Sequence, residues 1–210
     1  MFDKMVMSSI YAKASRPEDL VWHAEEPQRL LVEAVAAAHA RGGRPRALDL
    51  GCGAGVHSAY LAGEGFDVTG IDLIPRAIEL ARLHARSLGV AVDFVEADLL
   101  AWSSERPFDL VLDSGCLHSL IAGSLRRYKE KVLSLLAPGG EYVLCHWGKR
   151  HALDWRPVGP RRRTATELGA LFAPELSVVA CNEELITDVP LPFGPSILGI
   201  EMRLRRASTC

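Results

Sequence analysis

Asp49-Leu50-Gly51-Cys52-Gly53-Ala54-Gly55 follows the apolar stretch Arg46-Ala-Leu-Asp-Leu50 and precedes the helix-like run Val56-His-Ser-Ala-Tyr-Leu-Ala-Gly63. A short buried strand thus enters a glycine-dense turn that opens a helix. Glycines at alternate positions permit positive φ and let a ligand lie against bare backbone. Open α/β sheets bind their ligands beyond the carboxyl ends of such strands. A nicotinamide or flavin fingerprint spaces its glycines G-x-G-x-x-G, but position 56 is Val, so the third glycine arrives one residue early. No Gly-Lys-Ser/Thr follows, which excludes a P-loop. Asp49 lies two residues before the first glycine, and Asp113 ends another strand-like run. Carboxylates there disfavour a pyrophosphate and suit a cationic ligand bearing an amine.

Working outward, strand-like and helix-like segments alternate, the pattern of a parallel sheet covered on both faces. Residues 28–41 read as a helix stopped by Gly42-Gly43, and 67–72 as a second strand. A helix that Pro75 starts and Gly89 ends is followed by strands at 92–96 and 108–113. A helix over about 124–137 leads to Pro138-Gly139-Gly140, read as a turn delivering a fifth strand, Glu141–Cys145. Residues 146–163 mix Pro, Gly, Trp and basic residues and read as a surface excursion. Thr164 with Glu167 forms a capping-box pattern, and late strands are expected at about 176–181 and 197–204. With no repeat or linker, residues 1–210 read as one domain.

Length and composition agree. A chain of 210 residues with 49% hydrophobic and 24% charged residues can bury a sizeable single core. Lys plus Arg number 24 against 26 Asp plus Glu, so the basic excess that phosphate neutralisation needs is missing, and no nucleic-acid partner is expected. No apolar run reaches membrane-spanning length, and Asp3 and Lys4 interrupt any leader-like core at the N-terminus. The five cysteines are scattered and never in a Cys-x-x-Cys pair, so neither a disulfide framework nor a zinc site is indicated. The expectation is a soluble cytoplasmic α/β protein without metal.

Five motifs then stand in order: LDLGCGAG at 48–55, GID at 70–72, EADLL at 96–100, FDLVLDSG at 108–115 and LAPGGEYVL at 136–144. Together they resemble the class I S-adenosylmethionine-dependent methyltransferase family. The resemblance implies a Rossmann-like doubly wound sheet of seven strands, mostly parallel with the last antiparallel, and S-adenosyl-L-methionine as cofactor. Gly51, Gly53 and Gly55 would line its methionine and ribose portion, with Cys52 as small filler and Asp49 near the sulfonium or amine. Asp72 would accept hydrogen bonds from both ribose hydroxyls, and Leu73 would cover one adenine face. Asp98 would bond the adenine amino group with Leu99 beside it, although Asp98 also fits a plain helix cap. Asp113 and Ser114 would border the methionine end.

Asp113-Ser-Gly-Cys-Leu-His118 lacks the Pro-Pro and Pro-Cys motifs of amide, base and cytosine-carbon enzymes. It is similar to the small-molecule branch that includes thiopurine, halide/thiol and tellurite-resistance methyltransferases. The implied function is methyl transfer to S, O or N of a small molecule. The alternatives are an RNA or protein methyltransferase, or a non-catalytic S-adenosylmethionine-binding protein. In-line methyl transfer needs an aligned nucleophile and, for a hydroxyl or ammonium, a base. His118, five residues past Asp113, and His146, directly after the fifth strand, are the candidates, with Asp113 a weaker one. Cys116 has no role as a nucleophile in direct transfer. Residues 1–27, with Tyr11 and Trp22, are a candidate lid, Trp22 fitting plain core nearly as well. The excursion 146–163 is a candidate substrate loop carrying Trp147, Trp155 and Arg156. Its Arg161-Arg162-Arg163 run reads either as a solvated face or as an attractor for a carboxylate or phosphate.

Overall fold

The computed structural model describes residues 4–23, 26–120, 122–151, 154, 161–187 and 196–208. The elements are α1 (Lys4–Lys13), α2 (Arg29–Ala40), β1 (Arg46–Leu50), α3 (Val56–Gly63), β2 (Asp67–Asp72), α4 (Pro75–Ser87) and β3 (Asp93–Glu96). They continue with β4 (Phe108–Ser114), α5 (Leu125–Leu135), β5 (Leu136–Gly148), α6 (Ala165–Phe172), β6 (Leu176–Thr187) and β7 (Ser196–Arg206). The strands form one sheet in the order β3-β2-β1-β4-β5-β7-β6. The first five are parallel, while β7 runs antiparallel to both β5 and β6. The expected doubly wound sheet with its last strand antiparallel is present.

Strand alternation sends successive side chains to opposite faces, so each strand feeds two cores. Leu110, Leu112 and Val143 pack with Leu31, Ala34 and Val35 of α2 and Leu61 of α3. Val111, Tyr142 and Leu144 instead pack with Tyr128, Val132 and Leu135 of α5 and Phe172 of α6. Three features differ from the sequence expectation. First, α1 is a helix that the sequence reading passed over, because exposed Met5 and Val6 blur its apolar stripe. Second, Pro138-Gly139-Gly140 is not a separate turn but lies within β5. The β4–β5 ladder jumps from Phe108↔Leu136 to Leu110↔Glu141, so the surplus residues form a bulge. Gly140 is required there, since a Cβ would sit 2.9 Å from the Ala137 carbonyl oxygen and 3.1 Å from that of Asp109. Third, β5 runs on to Gly148, so His146 and Trp147 belong to the sheet and not to an excursion.

The β5–β7 register is fixed by charge. Glu141 is fully buried and accepts from Arg203 Nη2 at 3.0 Å and Arg205 Nε at 2.9 Å. Burial pushes its carboxyl up, but the two guanidinium groups outweigh that and hold it below the ordinary range. The Thr164–Glu167 capping box is formed, Glu167 N–H donating to Thr164 Oγ1 at 3.1 Å.

Candidate functional site

Beyond the carboxyl ends of β1, β2 and β4 lies a cavity of about 800 Å³, near the upper end of the range for small-molecule sites. Gly51 and Gly53 line it, and the turn takes left-handed φ at Gly51, Gly53 and Gly55 (+66°, +55° and +78°), but Gly55, expected to line the ligand, faces away from the cavity. Gly53 and Gly55 are both closely surrounded: a Cβ at Gly53 would stand 2.7 Å from the Tyr11 hydroxyl, and one at Gly55 2.8 Å from Ala81 Cβ and 2.9 Å from the Phe94 ring. The turn is tied to β2, since Cys52 N–H donates to the Ile71 carbonyl at 2.9 Å.

Asp72 is the most organised side chain on the cofactor side. One carboxylate oxygen accepts Gly53 N–H at 2.9 Å and the other Ile74 N–H at 2.8 Å. Each oxygen keeps a free lone pair, so the carboxylate is pre-aimed for a vicinal diol. Burial raises its pKa, partly countered by those N–H donors. Asp49 is buried at the end of β1 and accepts Ser58 Oγ–H at 2.6 Å. Desolvation pushes it up to about 6. Leu73, Asp98, Leu99 and Ser114 line the same cavity, as does Cys52. Asp98 uses one oxygen to accept Leu100 N–H at 2.9 Å, and its carbonyl accepts from Ala101 and Trp102. The capping geometry is therefore real, and one carboxylate oxygen remains for a ligand.

Asp113 stands elsewhere than expected. It does not line the cavity but is buried beneath it, accepting N–H bonds from Cys116 (2.6 Å) and Leu117 (2.9 Å) and a short bond from the Tyr128 hydroxyl. Tyr128 and Tyr142 share a further hydroxyl–hydroxyl bond of 2.8 Å. Desolvation pushes Asp113 up to about 7. Its carboxylate shapes the turn that carries Ser114, Cys116 and His118, which a sequence reading could not foresee because both tyrosines are remote along the chain.

His118 and His146 are brought together as expected, with ring centroids 5.5 Å apart, and Trp147 stands 5.4 Å from His118. They differ in what remains free. His146 Nδ1 lies 2.8 Å from the Trp147 carbonyl oxygen and Nε2 lies 3.3 Å from Arg163 Nη1. A carbonyl only accepts, so His146 carries its proton on Nδ1 and spends its Nε2 lone pair on the arginine. This corrects the expectation that His146 offers a free base. His118 Nδ1 is buried with no hydrogen-bond partner among the described residues. Desolvation, helped by His146 and Arg163, lowers His118 to about 3, and desolvation lowers His146 to about 4.

Residues of the expected lid line the cavity from the N-terminal side, among them Tyr11, Leu20 and Trp22. Tyr11 meets Trp22 edge to face at 5.8 Å, and Trp22 keeps 43% of its surface exposed, so it is not plain core. Of the expected substrate loop, Trp155 and Arg156 lie outside the described residues. No member of the Arg161–Arg163 run lines the cavity: Arg162 pairs with Asp154 at 2.7 Å, and Arg163 bonds His146. The sequence reading missed one wall, the inner face of the β6–β7 hairpin. There Asn182↔Glu201, Glu184↔Gly199 and Ile186↔Ile197 face each other in register. The signal was period-two spacing in strands longer than the reading assigned. Among the described residues, no group of three or more His, Cys, Asp or Glu side chains could hold a metal, and no helix is long and apolar enough to cross a membrane.

Lys4 is the one Lys or Arg among the described cavity-lining residues, against the carboxylates of Asp49, Asp72, Asp98, Glu184 and Glu201. That donor set fits a cationic sulfonium nucleoside and not a diphosphate. The methyltransferase-domain family model matches residues 47–140. A ubiquinone biosynthesis O-methyltransferase of Methylocella silvestris is 34% identical over 71% of this chain and 64% of its own. The solved 1,6-didemethyltoxoflavin-N1-methyltransferase of Burkholderia thailandensis, with S-adenosylhomocysteine bound, is 26% identical with a TM-score of 0.67, covering 97% of this chain and 88% of that one. A structure reported for conversion of a disulfide bond into a thioacetal group during echinomycin biosynthesis is 26% identical with a TM-score of 0.74, covering 99% and 93%. The chain spans between 39% and 64% of the length of the first curated relatives it matches. Residues 47–140 thus carry a methyltransferase domain, and the strand order and acidic glycine cradle around it are those of the class I S-adenosylmethionine-dependent methyltransferases.

Proposed function

We propose that residues 1–210 work as one catalytic domain that transfers the methyl group of S-adenosylmethionine to an oxygen, nitrogen or sulfur of a small molecule held beside His118 and Trp147. One observation carries this reading: a single continuous cavity contains both the Asp72 cradle and the His118 ring. The relatives named for O- and N1-methylation support a heteroatom acceptor. The net charge of −2 supports a small molecule over a nucleic acid.

Asp72 would hold both ribose hydroxyls, Leu73 and Leu99 the adenine faces, and Asp98 the adenine amino group. Asp49 and Ser114 would border the methionine end, against the Gly51–Gly55 backbone. When bound, S-adenosylmethionine supplies a methyl carbon that leaves its sulfonium sulfur, which keeps the bonding electrons, as the acceptor heteroatom bonds it. The protein's part is alignment, exclusion of water and removal of a proton. His118 takes that proton, because it is neutral and hydrogen-bonded to nothing that competes for its lone pair. Tyr11 and Trp22 close the cavity toward solvent.

Calorimetry with S-adenosylhomocysteine tests the cofactor assignment. Asp72→Ala removes two charge-assisted hydrogen bonds, about 3–6 kcal/mol together, so affinity should fall about 10²- to 10⁴-fold. Tritium transfer from labelled cofactor to a panel of small phenols, amines and thiols tests turnover. Undiminished binding by Asp72→Ala, or transfer only to RNA or protein in a salt-sensitive manner, would overturn the reading.

A further inference from the structure

Taking the cavity as a methyl-transfer site, the strand end that presents His118 is held by a second segment of the chain. Residues 161–163 run beside the end of β5 and touch every member of the acceptor-side cluster. Arg161 N–H donates to the His118 carbonyl at 2.9 Å, and Arg163 N–H to the Trp147 carbonyl at 3.3 Å. Lys149 N–H returns a bond to the Arg163 carbonyl at 3.1 Å, and Gly148 and Arg163 form an isolated parallel bridge. From this strap the Arg163 side chain reaches Nε2 of His146 at 3.3 Å.

We propose that Arg163 is a positioning residue for the proposed transfer. By occupying Nε2 of His146 it locks that imidazole as the Nδ1–H tautomer against the Trp147 carbonyl, and so leaves His118 as the one histidine of the pair able to accept the acceptor's proton. The arginine is suited to the task because it lacks a close carboxylate: no Asp or Glu oxygen lies within ion-pair distance of Arg163 among the described residues, whereas neighbouring Arg162 is spent on Asp154. A carboxylate on Arg163 would screen its charge. Without one, the cation helps keep both rings neutral at rest, so the His118 lone pair is unprotonated when an acceptor arrives. His118 faces His146 from β5 and Arg163 from the strap, and His146 faces Arg163 together with the more distant carboxylate of Glu167, which Lys149 already engages at 2.7 Å. The run read in the sequence as a solvated face or a substrate attractor thus turns its last member inward, toward a histidine and not toward a ligand.

The test needs no knowledge of the acceptor. Imidazole ¹⁵N–¹H spectra of the uniformly labelled full chain, recorded from about pH 3 to about pH 8, report tautomer and protonation of each ring. In wild type, His146 should keep the Nδ1–H pattern at every pH above its midpoint of about 4, and His118 should titrate only at the acid end, near about 3. In Arg163→Gln and Arg163→Met, His146 should become a mixture of tautomers, and the His118 midpoint should rise by about one pH unit or more, a tenfold gain in proton affinity. Arg163→Lys, which keeps the charge, should restore most of the His118 behaviour. Calorimetric binding of S-adenosylhomocysteine, expected to be unchanged in all three, shows that the variants fold. Spectra of the neutral variants that superimpose on wild type would overturn the assignment. Failure of wild type to bind S-adenosylhomocysteine would instead remove the methyl-transfer reading, a separate outcome from the tautomer result.

Discussion

Tyr128→Phe deletes one oxygen from a place where no ligand reaches, which makes it a clean probe of how the floor of the cavity is held. The hydroxyl donates to Asp113, which also takes the N–H groups of Cys116 and Leu117. Asp113 has its pKa pushed by burial to about 7 from an ordinary value of 3.8, which by linkage is about 4 kcal/mol. The sign follows from the direction. A folded-state pKa raised above the unfolded value contributes stability that is full below pH 3.8 and is lost as pH climbs through about 7. Above about pH 7 the buried group is ionised and leans on its three donors, and removing a hydrogen bond to a charged group costs about 1.5–3 kcal/mol. Below it the group is neutral, and the same deletion costs about 0.5–1.5 kcal/mol. For a chain of this size each kcal/mol moves Tm by about 2–4 °C. Thermal unfolding of wild type and variant at about pH 8.5 should differ by about 3–12 °C, and at about pH 5.5 by roughly half that. The titration of other groups is common to both proteins and cancels in the difference. A drop that is equal at the two pH values, or larger in acid, would refute the assignment of Asp113 as the group that needs the hydroxyl.

Other expectations follow from the same geometry. Gly55→Ala should cost about 2–5 kcal/mol, the sum of a left-handed backbone at +78° and overpacking against Ala81 and Phe94, measured by denaturant unfolding. Gly43→Ala, at +83° with nothing within 4 Å, should cost only the backbone part, about 1–2 kcal/mol. Glu141→Gln removes the buried charge that Arg203 and Arg205 share, leaving Arg203 only the longer contact to Glu33 at 3.7 Å, and should destabilise the fold by about 3 kcal/mol while sparing cofactor affinity, read by unfolding and calorimetry together. His118→Gln should slow methyl transfer to a hydroxyl acceptor by about 10²- to 10⁴-fold, with S-adenosylhomocysteine affinity unchanged.

What could be read from the sequence was whatever is encoded over short spans. The Asp49–Gly55 turn, Asp72 and Asp98 sit at the ends of strands that announce themselves by apolar runs, so their convergence follows from the parallel order alone. Asp113 resisted because its partners Tyr128 and Tyr142 lie on α5 and β5, and no local pattern distinguishes a carboxylate that faces a ligand from one that faces a tyrosine. His146 resisted for a similar reason: Arg163 lies 17 positions away in a stretch whose composition suggests solvent. Pro138-Gly139-Gly140 has the chemistry of a turn, and only the spacing between Phe108 and Leu110 on the partner strand makes it a bulge.

Along the β6–β7 hairpin, residues 182, 184, 186, 197, 199 and 201 recur at every second position on the cavity wall, joined by Thr187 and Ile200. Replacements at 182, 184 and 186, or at 197, 199 and 201, therefore resculpt one wall while the glycine turn far upstream keeps its shape. The wall that varies with those six positions is thus carried by strands separate in sequence from the Asp49–Gly55 turn and from Asp72, so its shape can change by substitutions that leave that turn intact.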